Sequence, residues 1–429
     1  MKSVQHLIVA VGLTLAGCTA SPKPAPRPAT ISPTTLAATP HDLSAGQAML
    51  AARLYPQLAE QAGPDVNLFV SPLSLSEGLG LAVLGARGKS ETEIRALLGW
   101  DGLTRPEQLV ADYDRFLRKT DDPDVALAVA NALWLDNDLA FRSGYLDAAA
   151  AAFGAKPQPL DFGSAPQASA DRINAWVAQE TRERIKQIVA ANAFNDSTAA
   201  VLTNAVWFKA RWSVPFYAAD SGVFTRGDGS KLLIAFIERV APLAYRTTDE
   251  GQAVALPYGR DGRFVMEIFL PKDARVLEAW EQGLKPLSFS AGEQGSDGRF
   301  DLAAATEQMI LLRIPRFEAR FNASIKPALV AAGVGCAFDD ACADFSAMAA
   351  APLAISDVAH ATFLRLDEEG TEAAAATAVM IVTTSAPNLK VIPKMIVDRP
   401  FLVTIRDRAS GALIFFGRIA DPTPVEKKP

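Results

Sequence analysis

Histidine is nearly absent from this chain of 429 residues. Its three histidines are His6, His41 and His360, and the first two lie in N-terminal segments described below. One remaining histidine leaves little for Ser-His-Asp catalysis, and no serine stands in a Gly-x-Ser-x-Gly sequence. The chain also has no His-Glu-x-x-His zinc motif, no phosphate-binding loop and no dinucleotide-binding glycine motif. The sequence therefore predicts a protein that is not an enzyme, with no catalytic residues, no metal site and no cofactor.

The chain lacks a basic stripe and, beyond its N-terminus, a long apolar run. Its formal net charge is −6, and Lys and Arg are interspersed with Asp and Glu. That distribution argues against nucleic acid as a partner, and no apolar stretch has the length of a transmembrane helix. Hydrophobic residues make up 49% of the sequence, which is enough to bury a large core.

The first residues have the pattern of a secretory signal. Lys2 precedes an apolar run from Leu7 to Leu15, which is too short to span a membrane. The run ends in Leu-Ala-Gly-Cys, which resembles a bacterial lipoprotein processing site with Cys18 lipidated after cleavage. Thr19 rather than Asp follows the cysteine, and by the same resemblance this indicates the outer membrane of a Gram-negative bacterium, on its periplasmic face or the cell surface. An ordinary signal peptide with an incidental cysteine is the alternative.

Composition divides the chain into four segments. Residues 1–17 are predicted to be the signal peptide, and residues 18–45 a lipid-anchored tether rich in Pro, Ala, Ser and Thr. A tether of this composition has too little apolar surface to offset its ordering entropy. Residues 46–424 form the predicted folded domain, and residues 425–429 a short tail.

Two cysteines remain, Cys336 and Cys342, six positions apart. Export would place them in an oxidising compartment, so we expect a disulfide worth roughly 2 kcal/mol for so small a ring. Two free thiols are the alternative, and no neighbouring residues complete a zinc site.

Apolar spacing predicts an α+β domain. Helical patterns come first and strand patterns later, without the βαβ alternation of a doubly wound sheet. Ser71 followed by Pro72 is typical of a helix start. Further helices are predicted over Asp42–Leu54, Lys89–Leu98, Asp171–Arg184 and Asn322–Ala332. Strands are predicted over Val125–Leu135, Ala199–Trp207, Leu232–Phe236, Ala253–Leu256, Phe264–Leu270 and Ile310–Phe317, and again from Ala361 onward.

A run of very small side chains follows the strand pattern Thr362–Leu366. Helix propensity alone favours a short alanine-rich surface helix. Residues of this size could also enter between two strands of a sheet, with the glycine as a backbone pivot. The run consists of Gly370, Thr371, Glu372, Ala373, Ala374, Ala375, Ala376 and Thr377.

This run resembles the hinge of the reactive-centre loop of serpins, the serine protease inhibitors, in its inhibitory form. Three further segments match the family in order. Asn67–Ser74 resembles the opening helix motif, Asn204–Trp212 the central strand, and Arg399–Phe401 with Phe415–Ile419 the C-terminal hairpin. The resemblance implies the serpin fold, in which N-terminal helices pack on a large central mixed sheet beside smaller sheets and the reactive-centre loop is exposed.

The resemblance also implies two polar clusters in that sheet. Ser71, Ser74, Asn204 and His360 match the buried cluster called the shutter, where polar contacts can exchange partners when the sheet opens. Taken alone, His360 favours a core histidine whose hydrogen bonds are satisfied, and it is the four matched positions together that favour the shutter. Trp212, Arg316 and Glu368 match the breach at the top of the sheet, with Arg316 and Glu368 as an ion pair. A surface pair of negligible energy is the alternative there.

Inhibitory serpins have a nearly fixed length from hinge to scissile bond, and counting from Gly370 reaches Thr384-Ser385, with Thr383 as the alternative position. Small β-branched residues before the bond suit elastase-like or subtilisin-like proteases. The implied function is suicide-substrate inhibition by a monomer, whose partners are a serine protease and, through Cys18, a membrane. A non-inhibitory carrier or chaperone of the same fold, an envelope hydrolase and a structural lipoprotein are the competing functions.

Overall fold

The computed structural model of the protein describes residues 40–103, 106–119, 121–155, 157–285, 302, 305–371 and 392–422. All of these residues belong to one compact unit. No helix in these ranges is long and apolar enough to cross a membrane. The helices are α1 Pro40–Ala62, α2 Pro72–Gly85, α3 Gly88–Leu98, α4 Pro106–Arg118, α5 Ser143–Phe153, α6 Pro166–Glu180, α7 Ala274–Gln282 and α8 Lys326–Ala331.

The strands form two sheets. Their bounds are β1 Leu68–Val70, β2 Val125–Asp136, β3 Gln158–Leu160, β4 Ala200–Arg211, β5 Tyr217–Thr225, β6 Lys231–Thr247, β7 Gly251–Pro257, β8 Phe264–Pro271, β9 Glu307–Pro315, β10 Phe317–Ser324, β11 Asp357–Leu366, β12 Gly370–Thr371, β13 Lys394–Ile396, β14 Phe401–Asp407 and β15 Leu413–Ile419. The six-stranded sheet, here called the central sheet, has the order β10-β11-β12-β4-β2-β3. The nine-stranded sheet runs β1-β15-β14-β8-β7-β6-β9-β13, with β5 paired to β6.

The middle of the central sheet is a boundary between β4 and β11, here called the seam. These two strands are parallel and pair directly from Asp357↔Val201 to Thr362↔Val206. On its other side β4 pairs with β2 in antiparallel register from Ala200↔Leu135 to Ala210↔Val125. Above the last direct pair, the two-residue strand β12 lies between β4 and β11 and is antiparallel to both.

The two faces of the central sheet bury different partners because side chains alternate along a strand. Leu202, Val206 and Phe208 of β4 face the main core. Val201 and Ala205 face a second apolar cluster that is covered by α6 and the chain after it. The seam is therefore buried on both faces.

The predicted α+β class is confirmed, and several element boundaries were wrong. The strand predicted over Leu232–Phe236 extends to Thr247 as β6. Asn322–Ser324, predicted to start a helix, forms the end of β10 and pairs with β11, because ladder hydrogen bonds outweigh local helix propensity. The helix predicted to reach Arg184 ends at Glu180. The first helix runs on to Ala62 with Pro56 inside it.

Candidate functional site: the seam of the central sheet and the hinge above it

The hinge begins inside the sheet. Gly370 pairs with Arg211 and Thr371 with Ala210 of β4, and Thr371 also pairs with Leu366 of β11. Thr371 is fully buried, and its Oγ1 lies 2.6 Å from the hydroxyl of Tyr258. The sequence assigns both residues to the hinge of an exposed loop, and in the structure they form a short strand of the sheet. Ladder hydrogen bonds to both neighbouring strands explain the difference.

Gly370 fits this position because it has no side chain. A Cβ atom added there would lie against the Ala210 carbonyl oxygen and 2.7 Å from the Cα of Arg211. Contacts this close do not occur between real atoms of a folded chain, so any other residue would push β12 away from β4. The glycine therefore permits a close backbone approach at the start of the hinge.

Trp212 organises the chain just before the hinge. Its backbone N–H donates to the carbonyl of Glu369 at 2.8 Å, and its indole Nε1 donates to the carbonyl of Asp367 at 3.0 Å. Its ring stacks on Tyr258 with centroids 4.4 Å apart and an interplanar angle of 10°. The same tyrosine thus holds Trp212 through its ring and Thr371 through its hydroxyl.

The predicted breach pair lies beside this aromatic stack. Arg316 Nη1 and Glu368 Oε1 are 3.2 Å apart, with side chains 14% and 24% exposed. The pair is thus mostly shielded from solvent and is not a free surface contact. Burial raises the pKa of neighbouring Asp367 above its ordinary value, although Arg365 and Arg316 oppose that change.

The shutter residues also come together, beneath the seam on the main-core side. Asn204 of β4 and His360 of β11 are register partners, and the Asn204 Oδ1 lies 2.6 Å from His360 Nδ1. The backbone N–H of Ser71 donates to His360 Nε2 at 3.2 Å. Ser71 Oγ caps α2 by accepting from the N–H of Ser74, and the Ser74 carbonyl accepts from Asn204 Nδ2.

These contacts define the state of His360. Because Nε2 accepts a hydrogen bond, Nδ1 carries the proton and donates a hydrogen bond to Asn204 Oδ1. His360 is fully buried, and loss of solvation lowers its pKa to about 3. The imidazole is therefore neutral and serves as a crosslink between β4 and β11. Within the described ranges no group of three or more His, Cys, Asp or Glu side chains could hold a metal ion.

Sequence reasoning missed two members of this network. Asn131 of β2 accepts a hydrogen bond from Asn204 Nδ2 and donates to Glu77 Oε2 of α2 at 3.0 Å. The polar cluster therefore continues from β11 through β4 and β2 to a helix. The available signal was Asn131 itself, the only polar residue in the apolar run of β2.

Several predicted site residues lie outside the described residues. They are Cys18, Glu372, Ala373, Ala374, Ala375, Ala376, Thr377, Thr384 and Ser385. Cys336 and Cys342 are described, and their sulfur atoms form a disulfide. This bridge lies near α3, where Glu93 accepts from the backbone N–H of Cys336 at 2.8 Å.

A six-stranded sheet with a parallel seam, a short antiparallel strand above it and a Ser-Asn-His cluster beneath it forms a distinctive arrangement. Residues 45–422 match the family model described as "Serpin (serine protease inhibitor)". The chain belongs to the serpin family. Antithrombin-III of Mus musculus is 31% identical over 392 residues, which cover 89% of this chain and 82% of that protein. An uncharacterized serpin-like protein of Thermococcus kodakarensis is 32% identical over 444 residues, covering 98% of this serpin and 99% of the relative.

Solved structures agree with this assignment. Serpin48, described as a highly specific serpin of the insect Tenebrio molitor, has a TM-score of 0.76 and 26% identity, covering 89% of this chain and 98% of its own. Human thyroxine-binding globulin, solved as a complex, has a TM-score of 0.77 at 23% identity, covering 90% of this chain and 100% of its own. At that identity the second likeness shows the fold alone. Since the fold is shared with a thyroxine-binding protein, the fold by itself does not establish protease inhibition.

Proposed function

We propose that this serpin is a suicide-substrate inhibitor of serine proteases that traps the acyl-enzyme by inserting its cleaved loop into the central sheet. The observation that supports this proposal is the position of β12. Gly370 and Thr371 already lie between β4 and β11, hydrogen-bonded to both. Any residue that followed Thr371 down the seam would continue an antiparallel strand that has been started.

The sequence after Thr371 is suited to that continuation. Thr371 faces the buried side of the sheet beside Tyr258, and at a period of two Ala373, Ala375 and Thr377 would share its face. None of these side chains is charged, and all are small. Each inserted residue would replace one direct β4–β11 pairing by two new ones, so the strand gains hydrogen bonds while it buries apolar surface.

The proposed reaction starts as ordinary proteolysis. The serine Oγ of the protease attacks the carbonyl carbon of Thr384, the amine of Ser385 leaves with a proton, and an ester joins enzyme and inhibitor. The segment from Gly370 to Thr384, at about 3.3 Å per residue, reaches roughly 50 Å when extended. Its insertion would carry the protease along the sheet and distort its active site before water hydrolyses the ester.

The residues before the proposed bond suggest the class of protease. Ile381, Val382, Thr383 and Thr384 are apolar or small, and all four are β-branched. Such residues fit shallow apolar pockets and carry no charge for a trypsin-like pocket. We therefore propose an elastase-like or subtilisin-like target, and an inhibitory rather than catalytic role for the chain.

A denaturant-resistant complex would test inhibition directly. Residues 40–429 are incubated with an elastase-like and a subtilisin-like protease and separated by denaturing electrophoresis, with mass spectrometry to locate the cut. The matched control is Thr371→Arg, which places a charge at a fully buried position and leaves the scissile sequence unchanged. We expect a stable complex for the native chain and simple cleavage for the variant.

The thermal stability of the cleaved chain separates the inhibitor from its closest alternative, a non-inhibitory carrier. If the loop inserts, cleavage near Thr384 should raise the melting temperature of the native chain sharply, and that of Thr371→Arg little. A native chain that is cut without gaining stability, across a broad protease panel, would favour the carrier.

We propose, separately, that the chain is anchored at the outer membrane through Cys18. The support is the Leu-Ala-Gly-Cys sequence at the end of a short apolar run, followed by a Pro-rich tether. The folded body would then face the periplasm or the cell exterior. Metabolic labelling with a fatty acid should modify the native chain, and Cys18→Ser should abolish both labelling and recovery in the membrane fraction.

A further inference from the structure

Two cationic residues flank the position directly below β12. Thr371, the last residue of β12, pairs with Ala210 of β4 and with Leu366 of β11. In the same antiparallel register, a residue one step further down the seam would lie between Lys209 of β4 and Arg365 of β11. Ala210 and Leu366 face the main core, so the two cations lie on the opposite face of the sheet.

The two strands are already apart at this level. Because β12 lies between them at Thr371, β4 and β11 are there about 9.6 Å apart, twice the spacing of neighbouring strands. Four residues further down they pair directly, at Thr362↔Val206. The gap between the strands is therefore widest next to β12, and Lys209 and Arg365 line its wide end.

The charges of these two residues are not matched by acids within the gap. Lys209 is partly buried, and the side chain of Arg365 is 19% exposed, with its Nε 3.8 Å from Asp367 Oδ2. That Nε has no hydrogen-bond partner among the described residues. Glu318, the register partner of Arg365 on β10, is paired with Arg320 at 2.9 Å. A guanidinium has five N–H donors, so Arg365 can still bind a further carboxylate.

The segment proposed to insert carries one charge, and its register places that charge here. Within Gly370–Thr384 the only charged residue is Glu372. As the next residue after Thr371, it would lie between Lys209 and Arg365, on their face of the sheet. Directly opposed residues of neighbouring strands have Cβ atoms about 4.5–5.5 Å apart, which allows an ion pair on each side.

The next position on the same face has a different lining. Ala374 would lie between Trp207 of β4 and Phe363 of β11, whose side chains are only 3% and 2% exposed. A small apolar residue suits that position, and a charged one would be desolvated there without a partner. The charge of the segment and the charges of the gap therefore coincide at a single step of the register.

We propose that Lys209 and Arg365 form a carboxylate-binding site at the wide end of the gap, and that this site binds Glu372 when the cleaved loop begins to insert. The inference rests on the proposed inhibitory function and assigns it two positioning residues. Because Glu372 would be the first residue to enter below β12, its ion pairs form before any later pairing and stabilise every subsequent stage. Each pair of opposite charges on opposed residues should accelerate insertion about two- to fivefold.

The ratio of denaturant-resistant complex to cleaved chain measures this effect, because insertion competes with hydrolysis of the ester. Residues 40–429 are reacted with an elastase-like or subtilisin-like protease. Lys209→Gln and Arg365→Gln should each lower the ratio about two- to fivefold, and Glu372→Gln, which loses both pairs, about five- to tenfold. Lys231→Gln is the matched control, because it removes an exposed cation of β6 in the other sheet and should leave the ratio unchanged.

Charge reversal separates an ion pair from a merely structural role. Glu372→Lys should lower the ratio more than about tenfold, because it brings a third cation between the other two. Adding Lys209→Glu and Arg365→Glu to that chain restores opposite charges, and the ratio should return to within about threefold of the native value. In about 1 M salt, where the screening length falls to about 3 Å, the native ratio should approach that of Glu372→Gln.

The outcomes distinguish this site from the function on which it rests. Equal ratios for the native chain and Glu372→Gln, or no recovery on charge reversal, overturn the site and leave the inhibitor intact. A native chain that forms no complex and gains no thermal stability on loop cleavage refutes both proposals. If it gains stability without a complex, the gain in melting temperature replaces the ratio, and equal gains for Glu372→Gln and Lys231→Gln overturn the site. Glu372→Gln alters no described residue, so it decides the question even if Arg365→Gln does not fold.

Discussion

The hydroxyl of Tyr258 lies 2.6 Å from Oγ1 of Thr371, in a fully buried site where the hinge of this serpin enters its central sheet. Burial raises the pKa of Tyr258 well above its ordinary value, so the phenol keeps its proton. The same ring stacks on Trp212, which binds the carbonyls of Asp367 and Glu369. One aromatic pair therefore fixes both the approach to the hinge and its first inserted side chain.

Removal of this hydrogen bond should loosen the hinge. We expect Tyr258→Phe and Thr371→Val each to lower the free energy of local opening of the segment 366–371 by about 1 kcal/mol, which amide hydrogen exchange measures as faster exchange. Because the two residues share one contact, the loss of opening free energy in the double variant should be smaller than the sum of the two single losses. The difference, which is the coupling energy of the pair, should be about 0.5–1.5 kcal/mol. Strict additivity would show that the two hydroxyls do not act together. Tyr245→Phe, whose hydroxyl accepts from Gln252 elsewhere, is the control.

A methyl group at position 370 should expel β12 from the sheet. In Gly370→Ala the new Cβ would meet the backbone of Ala210 and Arg211, and backbone atoms within a ladder have little room to move. We expect exchange protection of Thr371 to be lost, with a destabilisation of about 1–3 kcal/mol by urea unfolding. Gly144→Ala, where a Cβ meets nothing within 4 Å, should leave protection of Thr371 unchanged. Retained protection in Gly370→Ala would contradict the close packing seen here.

The neutral state of His360 predicts an acid sensitivity. In the folded chain this imidazole has a pKa of about 3 and stays unprotonated until the pH approaches that value. In the unfolded chain it has the ordinary pKa of 6.5 and takes up a proton below that pH. The unfolded state therefore binds more protons than the folded state between pH 6.5 and pH 3. As the pH is lowered through this range, the free energy of unfolding decreases by up to about 1.4 kcal/mol per pH unit. Stability from this group is complete above pH 6.5 and is lost progressively toward pH 3.

His360→Gln isolates that contribution. Glutamine offers one acceptor for the Ser71 N–H and a donor for Asn204, but it does not titrate. Between pH 7 and pH 5 the variant should lose about 2 kcal/mol less stability than the native chain, measured by urea unfolding at both pH values. Other titrating groups are common to both proteins and cancel in the difference. An identical pH dependence would mean that His360 is protonated in the folded state.

The apolar spacing and cap residues of single segments predicted those elements whose local propensity agrees with the structure that their tertiary contacts impose. The apolar run from Val125 became β2, and Ser71-Pro72 starts α2 with the serine as its cap. Asn322–Ser324 was misassigned because an edge strand is defined by its partner, which lies 30 or more residues away in the sequence. The pairing of Gly370 and Thr371 with β4 could not be predicted for the same reason, since Ala210 and Arg211 determine it.

The clusters of the site could be anticipated only through family resemblance. Ser71, Asn204 and His360 are far apart in the sequence, and no spacing rule brings them together. Asn131 and Tyr258 carry no signal of their own beyond one polar residue in an apolar strand and one tyrosine after a strand. The turn after α6 was beyond sequence reasoning because it depends on two left-handed residues, Arg182 and Glu183, neither of which is a glycine.

The disulfide between Cys336 and Cys342 allows a final prediction about local stability. The bridge closes a small ring that follows α8 and precedes β11, and Glu93 of α3 accepts from the backbone N–H groups of Gly335 and Cys336. Closing so short a ring removes limited chain entropy, about 2 kcal/mol. We expect Cys336→Ser with Cys342→Ser to lower the free energy of unfolding by that amount, and reductant to lower it only in the native chain. Because Glu93 holds the ring independently of the sulfur atoms, the serine variant should still form the denaturant-resistant complex and gain thermal stability on loop cleavage as the native chain does. Loss of either would instead show that this ring is coupled to the seam.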